Sequence, residues 1–192
     1  MNLPNRLTLL RIILIPVFVA AYYVNALPYN YLIAAVIFVV AAFTDFLDGY
    51  IARKKNLVTD LGKFLDPIAD KVLVAAALIV MLVIPEGGTA ILPSYCAIFV
   101  AVILARELII SGFRMVAAAK GTVLAADKAG KWKTFIQDIA ITVLLVGAQF
   151  QPGIYTAFNI AGLVALCVAA LLTVISGTEA MIKNSHVLRN TK

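Results

Sequence analysis

Long apolar runs recur along this chain between short polar turns, and ~20 apolar residues are what a helix needs to cross the hydrocarbon of a bilayer. The first run, Ile12–Val24, ends in the turn Asn25–Asn30 with Pro28, and a second begins near Tyr29 and stays apolar to Phe43. Further spans are expected at 62–84, 94–118, 128–149 and 154–177. They are joined by Lys54–Leu61, the Gly- and Pro-rich loop Pro85–Pro93, and the Pro152-Gly153 turn. Lipid offers no partner to a backbone amide, so segments of this kind must be helices. The pattern predicts an all-α integral membrane protein with six transmembrane helices. A short N-terminal interfacial helix is expected to lead into a first span at 5–25, in place of a cleaved signal. The composition agrees, because 63% of the 192 residues are hydrophobic, against roughly 45–50% in soluble domains. Six spans use ~120 residues, so residues 1–192 read as a single membrane domain.

The net charge of +6 does not point to nucleic acid, because basic residues in so apolar a chain mark cytoplasmic loops. All 16 fall on one side or in the half-spans adjoining it: Arg6 and Arg11, Arg53 to Lys71, Arg106 to Lys133, and Lys183 to Lys192. The opposite turns carry only Glu86. Both termini and the polar span ends are therefore expected in the cytoplasm, in a multi-pass protein of the cell (inner or plasma) membrane. Cys96 and Cys167 lie in apolar runs and read as buried free thiols, while His186 in the polar tail reads as solvated surface.

Chemistry concentrates in Asp45–Asp70, DFLDGYIARKKNLVTDLGKFLDPIAD. On a helix Asp45 and Asp48 share a face at i+3, and Asp66 and Asp70 share one at i+4. Gly49 and Ala52 extend the Asp45 face as a strip without bulk, open to a ligand or a neighbouring helix. Arg53 closes it, with Asp45 about 12 Å deeper along the axis. Thr59 or Asp60 is the expected N-cap of the third span, and Pro67 either starts or kinks it. One acidic residue at a span end is commonly an interfacial cap. Four at paired spacing, in a setting where charge is costly, point to a shared divalent-metal site. All-oxygen ligation favours Mg2+ or Mn2+ over zinc. Arg106, Glu107 and Arg114 read equally as a structural ion-pair set, since Glu107 and Arg114 share a face at i+7, or as functional groups. Lys131 and Lys133 serve at least as positive-inside markers, and Trp132 as an interfacial residue.

Hard metals beside a cytoplasmic basic cluster suit a diphosphate substrate whose leaving phosphate develops charge. A second phosphate would sit on the arginines and lysines of spans four and five. The site faces both lipid and cytosol, so phosphoryl transfer involving a lipid is the class the residues favour.

The spacing D-x2-D-G-x2-A-R-x8-G-x3-D-x3-D, filled by Asp45, Asp48, Gly49, Ala52, Arg53, Gly62, Asp66 and Asp70, resembles the signature of the CDP-alcohol phosphotransferase family at every fixed position. Eight fixed residues match by chance on the order of 10⁻¹⁰ per start position at average composition. Other segments resemble the bacterial branch of that family that uses glycerol 3-phosphate. These are Pro4-Asn5 with Thr8 and Arg11, GKFLDPIADK, Arg106-Glu107, Ser111–Arg114 and Gly130–Thr134. The resemblance implies transfer of the phosphatidyl group of CDP-diacylglycerol to sn-glycerol 3-phosphate, two divalent ions held by Asp45, Asp48, Asp66 and Asp70, and a homodimer. It makes Asp70 also the acceptor of the attacking hydroxyl's proton. Asn5, Thr8, Asp48, Gly49, Ala52, Arg53 and Gly62 would contact CDP-diacylglycerol, and Arg106, Arg114, Lys131 and Lys133 the acceptor phosphate. A related enzyme with another acceptor, such as inositol phosphate, is the nearest alternative. A membrane prenyltransferase leaves the Asp-Gly and Ala-Arg elements without a role, and a cation-coupled transporter would place its carboxylates near the midplane.

Overall fold

The computed structural model describes residues 3–24, 26, 28–55, 60–83, 90–119, 128–150 and 152–184. Among them are six helices and no strand: α1 (Leu3–Tyr23), α2 (Asn30–Lys55), α3 (Asp60–Leu82), α4 (Cys96–Ala119), α5 (Lys128–Ala148) and α6 (Pro152–Lys183). Thr59, residues 85–89 of the Pro85–Pro93 loop, and the tail from 185 with His186 lie outside the described residues, as do the side chains of Ala52, Arg53 and Pro67. Four of the described helices, α1, α2, α4 and α6, are long and apolar enough to cross a membrane. The other two expected spans, α3 and α5, have similar length but carry charges along their first halves, Lys63, Asp66, Asp70 and Lys71 in one and Lys128, Lys131, Lys133 and Asp138 in the other.

Three local expectations change. The separate interfacial helix is absent among the described residues, because residues 3–10 are the first turns of an unbroken α1. Their buried side chains, Asn5 and Thr8, continue the inward face that Arg11, Ile15 and Phe18 extend, so nothing separates an interfacial piece from the span. The third helix already begins at Asp60, so Pro67 does not start it. The sixth continues to Lys183, beyond 177, because Ser176, Gly177 and Ala180 keep packing inward.

The turns are closed by specific bonds. Asn30 Nδ2 donates to the Tyr22 carbonyl at 3.1 Å, satisfying one of the carbonyls left open at the end of α1. Beside it Tyr29 takes φ 62°, the left-handed conformation, uncommon for a residue with a bulky side chain, in the turn that reverses the chain. After α3 the chain folds back so that the Leu92 amide donates to the Met81 carbonyl at 2.9 Å.

Helix contacts run α1–α2–α5–α6–α4–α3 and return to α1, with α3 also touching α2 and α5. The six helices thus close a ring around one core. Phe18 and Tyr22, Phe38 and Ala41, Leu73, Leu78 and Met81, Ile103, Ile141, Leu144 and Leu145 fill it. Phe18 and Phe38 meet with ring centroids 6.0 Å apart. Meanwhile Ile13, Val36, Phe43, Ile98, Leu108, Leu171 and Ile182 face outward. Such an apolar exterior is ordinary for a protein whose solvent is lipid and unsupportable in water.

Lipid is as apolar as the helix surface, so helix association depends on close packing more than on burial from water. The α5–α6 contact shows this most directly. A Cβ at Gly147 would lie 2.4 Å from Phe158 Cβ, and one at Gly162 would lie 2.5 Å from Leu144 Cγ. Gly147→Ala should therefore force the helices apart at a cost of about 1–3 kcal/mol, read as a lowered thermal-unfolding midpoint in detergent. An unchanged midpoint would mean that Phe158 gives way freely.

Candidate active site

A cavity of about 1100 Å³ lies where the polar segments of α2 to α6 meet. One wall is acidic: α2 supplies Asp45, Asp48 and Gly49, and α3 supplies Asp66 and Asp70 together with Lys71. The other is basic: Arg106 and Arg114 come from α4, and Lys131 and Lys133 from α5, with Glu107 among them. All four aspartates and all four proposed phosphate donors thus line one space.

The acidic wall is organised from α1, which lends that wall no lining side chain among the described residues. Arg11 is fully buried. Its guanidinium donates through one terminal nitrogen to Asp45 Oδ1 at 2.7 Å, through the other to Asp48 Oδ2 at 2.6 Å, and through Nε to the Ala41 carbonyl at 3.3 Å. One helical turn earlier, the Thr8 hydroxyl donates to Asp66 Oδ1. Asn5, Thr8 and Gly62 are buried rather than part of the cavity wall. For Thr8 the observed role is to orient a carboxylate. The sequence singled out Arg11 only as a branch feature and gave it no role. The signal was nonetheless present, since an arginine three residues after Thr8 shares its face and, in an apolar helix, requires an anionic partner.

On the basic wall the ion-pair set read from Arg106, Glu107 and Arg114 is present between Arg106 and Glu107, and the second partner of Glu107 is Lys133. Glu107 Oε1 accepts from Arg106 at 3.0 Å and from the Lys133 ammonium. Lys133 crosses from α5 and is only 3% exposed, so it competes for Glu107 at close range, whereas Arg114 is exposed on the same helix. Arg106 also donates to Ser176 Oγ of α6 at 2.7 Å. Its Nε is buried and makes no hydrogen bond among the described residues. A Cβ at position 177 would fall 2.7 Å from that Nε, so Gly177 makes room for the guanidinium. Asp138, on α5, faces the same cavity and was given no role by the motif.

The carboxylates fit a hard divalent cation by chemistry, offering only oxygens from two adjacent helices. They are not drawn into a finished metal site: among the described residues no three acidic, cysteine or histidine side chains are grouped for one. Among the described residues Arg11 holds Asp45 and Asp48, and Thr8 holds Asp66.

A lipid-embedded bundle with an acidic wall facing a basic one defines a membrane enzyme of phosphoryl transfer, and comparison with known proteins agrees. The chain belongs to the CDP-alcohol phosphatidyltransferase family, whose pattern it matches over residues 1–178. The family generally uses a divalent metal. Among similar proteins is the CDP-diacylglycerol–glycerol-3-phosphate 3-phosphatidyltransferase of Bacillus subtilis, 41% identical over 201 residues that cover 99% of this chain and 98% of the relative. Proteins of the same name from Rickettsia bellii and Salmonella typhimurium are 42% and 40% identical over 176 residues, covering 92% and 90% of this chain and 91% and 88% of theirs.

Removing Arg11 leaves Asp45 and Asp48 facing each other with no counter-charge, and breaking a buried pair from one side costs about 3–5 kcal/mol. The larger share falls on Asp48, whose side chain is 3% exposed against 42% for Asp45. Arg11→Ala should lose folded protein in detergent, and Arg11→Lys should recover only part of it, because an ammonium lacks the planar fork. Equal thermal midpoints for Arg11→Lys and wild type would show that charge alone suffices.

Proposed function

We propose that this protein transfers the phosphatidyl group of CDP-diacylglycerol to sn-glycerol 3-phosphate, giving phosphatidylglycerol phosphate and CMP. The observation that carries the reading is the single cavity with opposed walls, carboxylates on α2 and α3 and cations on α4 and α5. A diphosphate needs the first wall, by way of cations, and a phosphorylated acceptor needs the second. The similar proteins bear the name of this activity. Membership of the family removes the prenyltransferase and transporter readings.

Asp45, Asp48, Asp66 and Asp70 would hold two divalent ions, Mg2+ or Mn2+. When bound, these supply neutralisation of the diphosphate and of the charge developing on CMP. Gly49, which lines the cavity without bulk, leaves space for the nucleotide beside Asp48. With Ala52, Arg53 and Gly62 it forms the CDP-diacylglycerol segment that the motif implies. Asp70 accepts the proton of the acceptor's primary hydroxyl as that oxygen bonds to the phosphorus carrying the diacylglycerol. The anhydride bond to CMP breaks in the same transfer. A carboxylate is a weak base toward an alcohol, so alignment against the phosphorus carries much of the rate. The acceptor phosphate rests on Arg114 and Lys131, which are exposed at the cavity, with Arg106 beside them on the same wall. Lys133 acts mainly through Glu107.

The basic residues put the cavity mouth and both termini on the cytoplasmic side of the cell membrane, where CDP-diacylglycerol enters from lipid and glycerol 3-phosphate from water. The working form is a homodimer by resemblance.

The test is CMP release by the purified protein from CDP-diacylglycerol across a panel of polyols and phospho-polyols. Glycerol 3-phosphate should be preferred, and preference for an uncharged alcohol would overturn the acceptor. Asp70→Asn should lower turnover by about 10²–10⁴-fold, the range for a general base, while the folded protein survives. EDTA should silence the wild type reversibly, and full activity in excess chelator would overturn the metal-assisted mechanism. Arg114→Ala and Lys131→Ala should each raise the half-saturating glycerol 3-phosphate concentration about tenfold, a loss of ~1.4 kcal/mol. The CDP-diacylglycerol dependence should stay near that of the wild type.

A further inference from the structure

A second, smaller chamber of about 170 Å³ opens between α3, α4 and α5. It shares Asp70, Lys71, Glu107, Lys133 and Thr134 with the main cavity, so it adjoins that cavity at the residue assigned as proton acceptor. Its remaining lining is apolar, with Val74, Ala75 and Leu104 among it, except for one side chain, Gln137. Gln137 stands one turn after Lys133 on the same face of α5 and is 3% exposed. Its Oε1 is buried and has no hydrogen-bond partner among the described residues.

A buried amide oxygen left unpaired is costly, and native interiors rarely tolerate it without a reason. The other lining groups do not relieve it: Val74, Ala75 and Leu104 have no donors in their side chains, the Lys133 ammonium is engaged by Glu107, the Thr134 hydroxyl donates to the Gly130 carbonyl at 3.2 Å, and Lys71 makes no bond to that oxygen. We infer that this chamber receives the carbon backbone of the acceptor and that Gln137 hydrogen-bonds the hydroxyl on its middle carbon. The inference rests on the acceptor reading above and deepens it. A three-carbon polyol phosphate with its primary hydroxyl at Asp70 places the secondary hydroxyl one carbon further in, and its phosphate remains with the cations of the main cavity. The apolar lining suits the C–H faces. A hydroxyl both donates and accepts, so either orientation of the Gln137 amide serves. Gln137 is then a specificity-determining residue: a site built to hydrogen-bond a hydroxyl strongly rejects the analogue that lacks it.

The test compares sn-glycerol 3-phosphate with 1,3-propanediol monophosphate, which keeps the primary hydroxyl and the phosphate but lacks the middle hydroxyl. CMP release from CDP-diacylglycerol by the full-length protein in detergent is read for both. The wild type should favour glycerol 3-phosphate at least tenfold in kcat/KM, and Gln137→Met, similar in length and without the acceptor, should bring that ratio close to one. Should the methionine variant fail to fold, Gln137→Asn, with a shortened amide, should bring the ratio to an intermediate value. A variant that folds and keeps the wild-type ratio overturns the inference and leaves Gln137 a packing residue. A wild type that uses both compounds equally overturns it as well, while the acceptor reading stands. A wild type that releases CMP with neither overturns the acceptor reading and this inference together.

Discussion

The bundle depends on the fork that Arg11 drives between Asp45 and Asp48. A guanidinium buried in an apolar helix is tolerable only when its donors are matched, and here both terminal nitrogens meet carboxylates at 2.6 to 2.7 Å while Nε meets a backbone carbonyl. The converse holds for the acid pair. Two carboxylates at i and i+3 repel, and one planar cation between them reverses the sign of that interaction. The pairing also fixes the register of α1 against α2, and through Thr8 and Asp66 that of α1 against α3. A helix that lends no side chain to the acidic wall therefore sets the direction of three of its four carboxylates.

The basic wall solves the opposite problem. Arg106 and Lys133 would repel across the α4–α5 gap, and Glu107 sits between them as a shared acceptor. Ser176 adds a bond from α6, and the missing side chain at Gly177 leaves the space that the guanidinium fills. What remains for a ligand is the charge not consumed by this arrangement, the exposed ends of Arg114 and Lys131. Inner charges paired with one another beside exposed outer ones leave the outer ones open to an anion.

The six long helices, their order and approximate limits were legible in the sequence because lipid leaves a single chain few ways to satisfy its backbone, and the aspartates were legible because charge in an apolar run is rare enough to need a reason. Partners across helices were not. Glu107 and Arg114 share a face of α4, so spacing alone favours them, yet Lys133 reaches Glu107 from another helix 26 positions along the chain. Spacing along one helix says nothing about what a neighbouring helix brings. The same limit hid the bond from Thr8 to Asp66. Gln137 gave no signal at all, since a glutamine in a span is unusual only once its surroundings are known to lack a partner.

Each helix is divided along its length, and the division explains how a fold held by weak packing can carry so much charge. In α1 the polar residues Thr8 and Arg11 precede the core residues Phe18 and Tyr22, and in α2 the order is reversed, with Phe38 before Asp45 and Asp48. The alternation continues with Asp66 and Asp70 before Leu78, Ile103 before Glu107, Lys133 before Leu144, and Leu166 before Ser176. Chains that reverse direction at each turn bring these halves to common levels, so apolar packing gathers at one end of the bundle and the cavity at the other. The tightest helix contacts, at Gly147 and Gly162, fall in the packing end. There they anchor α5 and α6, so that the charged ends of the same helices can be spaced for a ligand instead of for each other. A cavity of this size among charged residues would be a liability in the middle of the bilayer. Gathered at the polar ends of the helices, the charged residues are kept out of the apolar half of the bundle, where burying them would cost most.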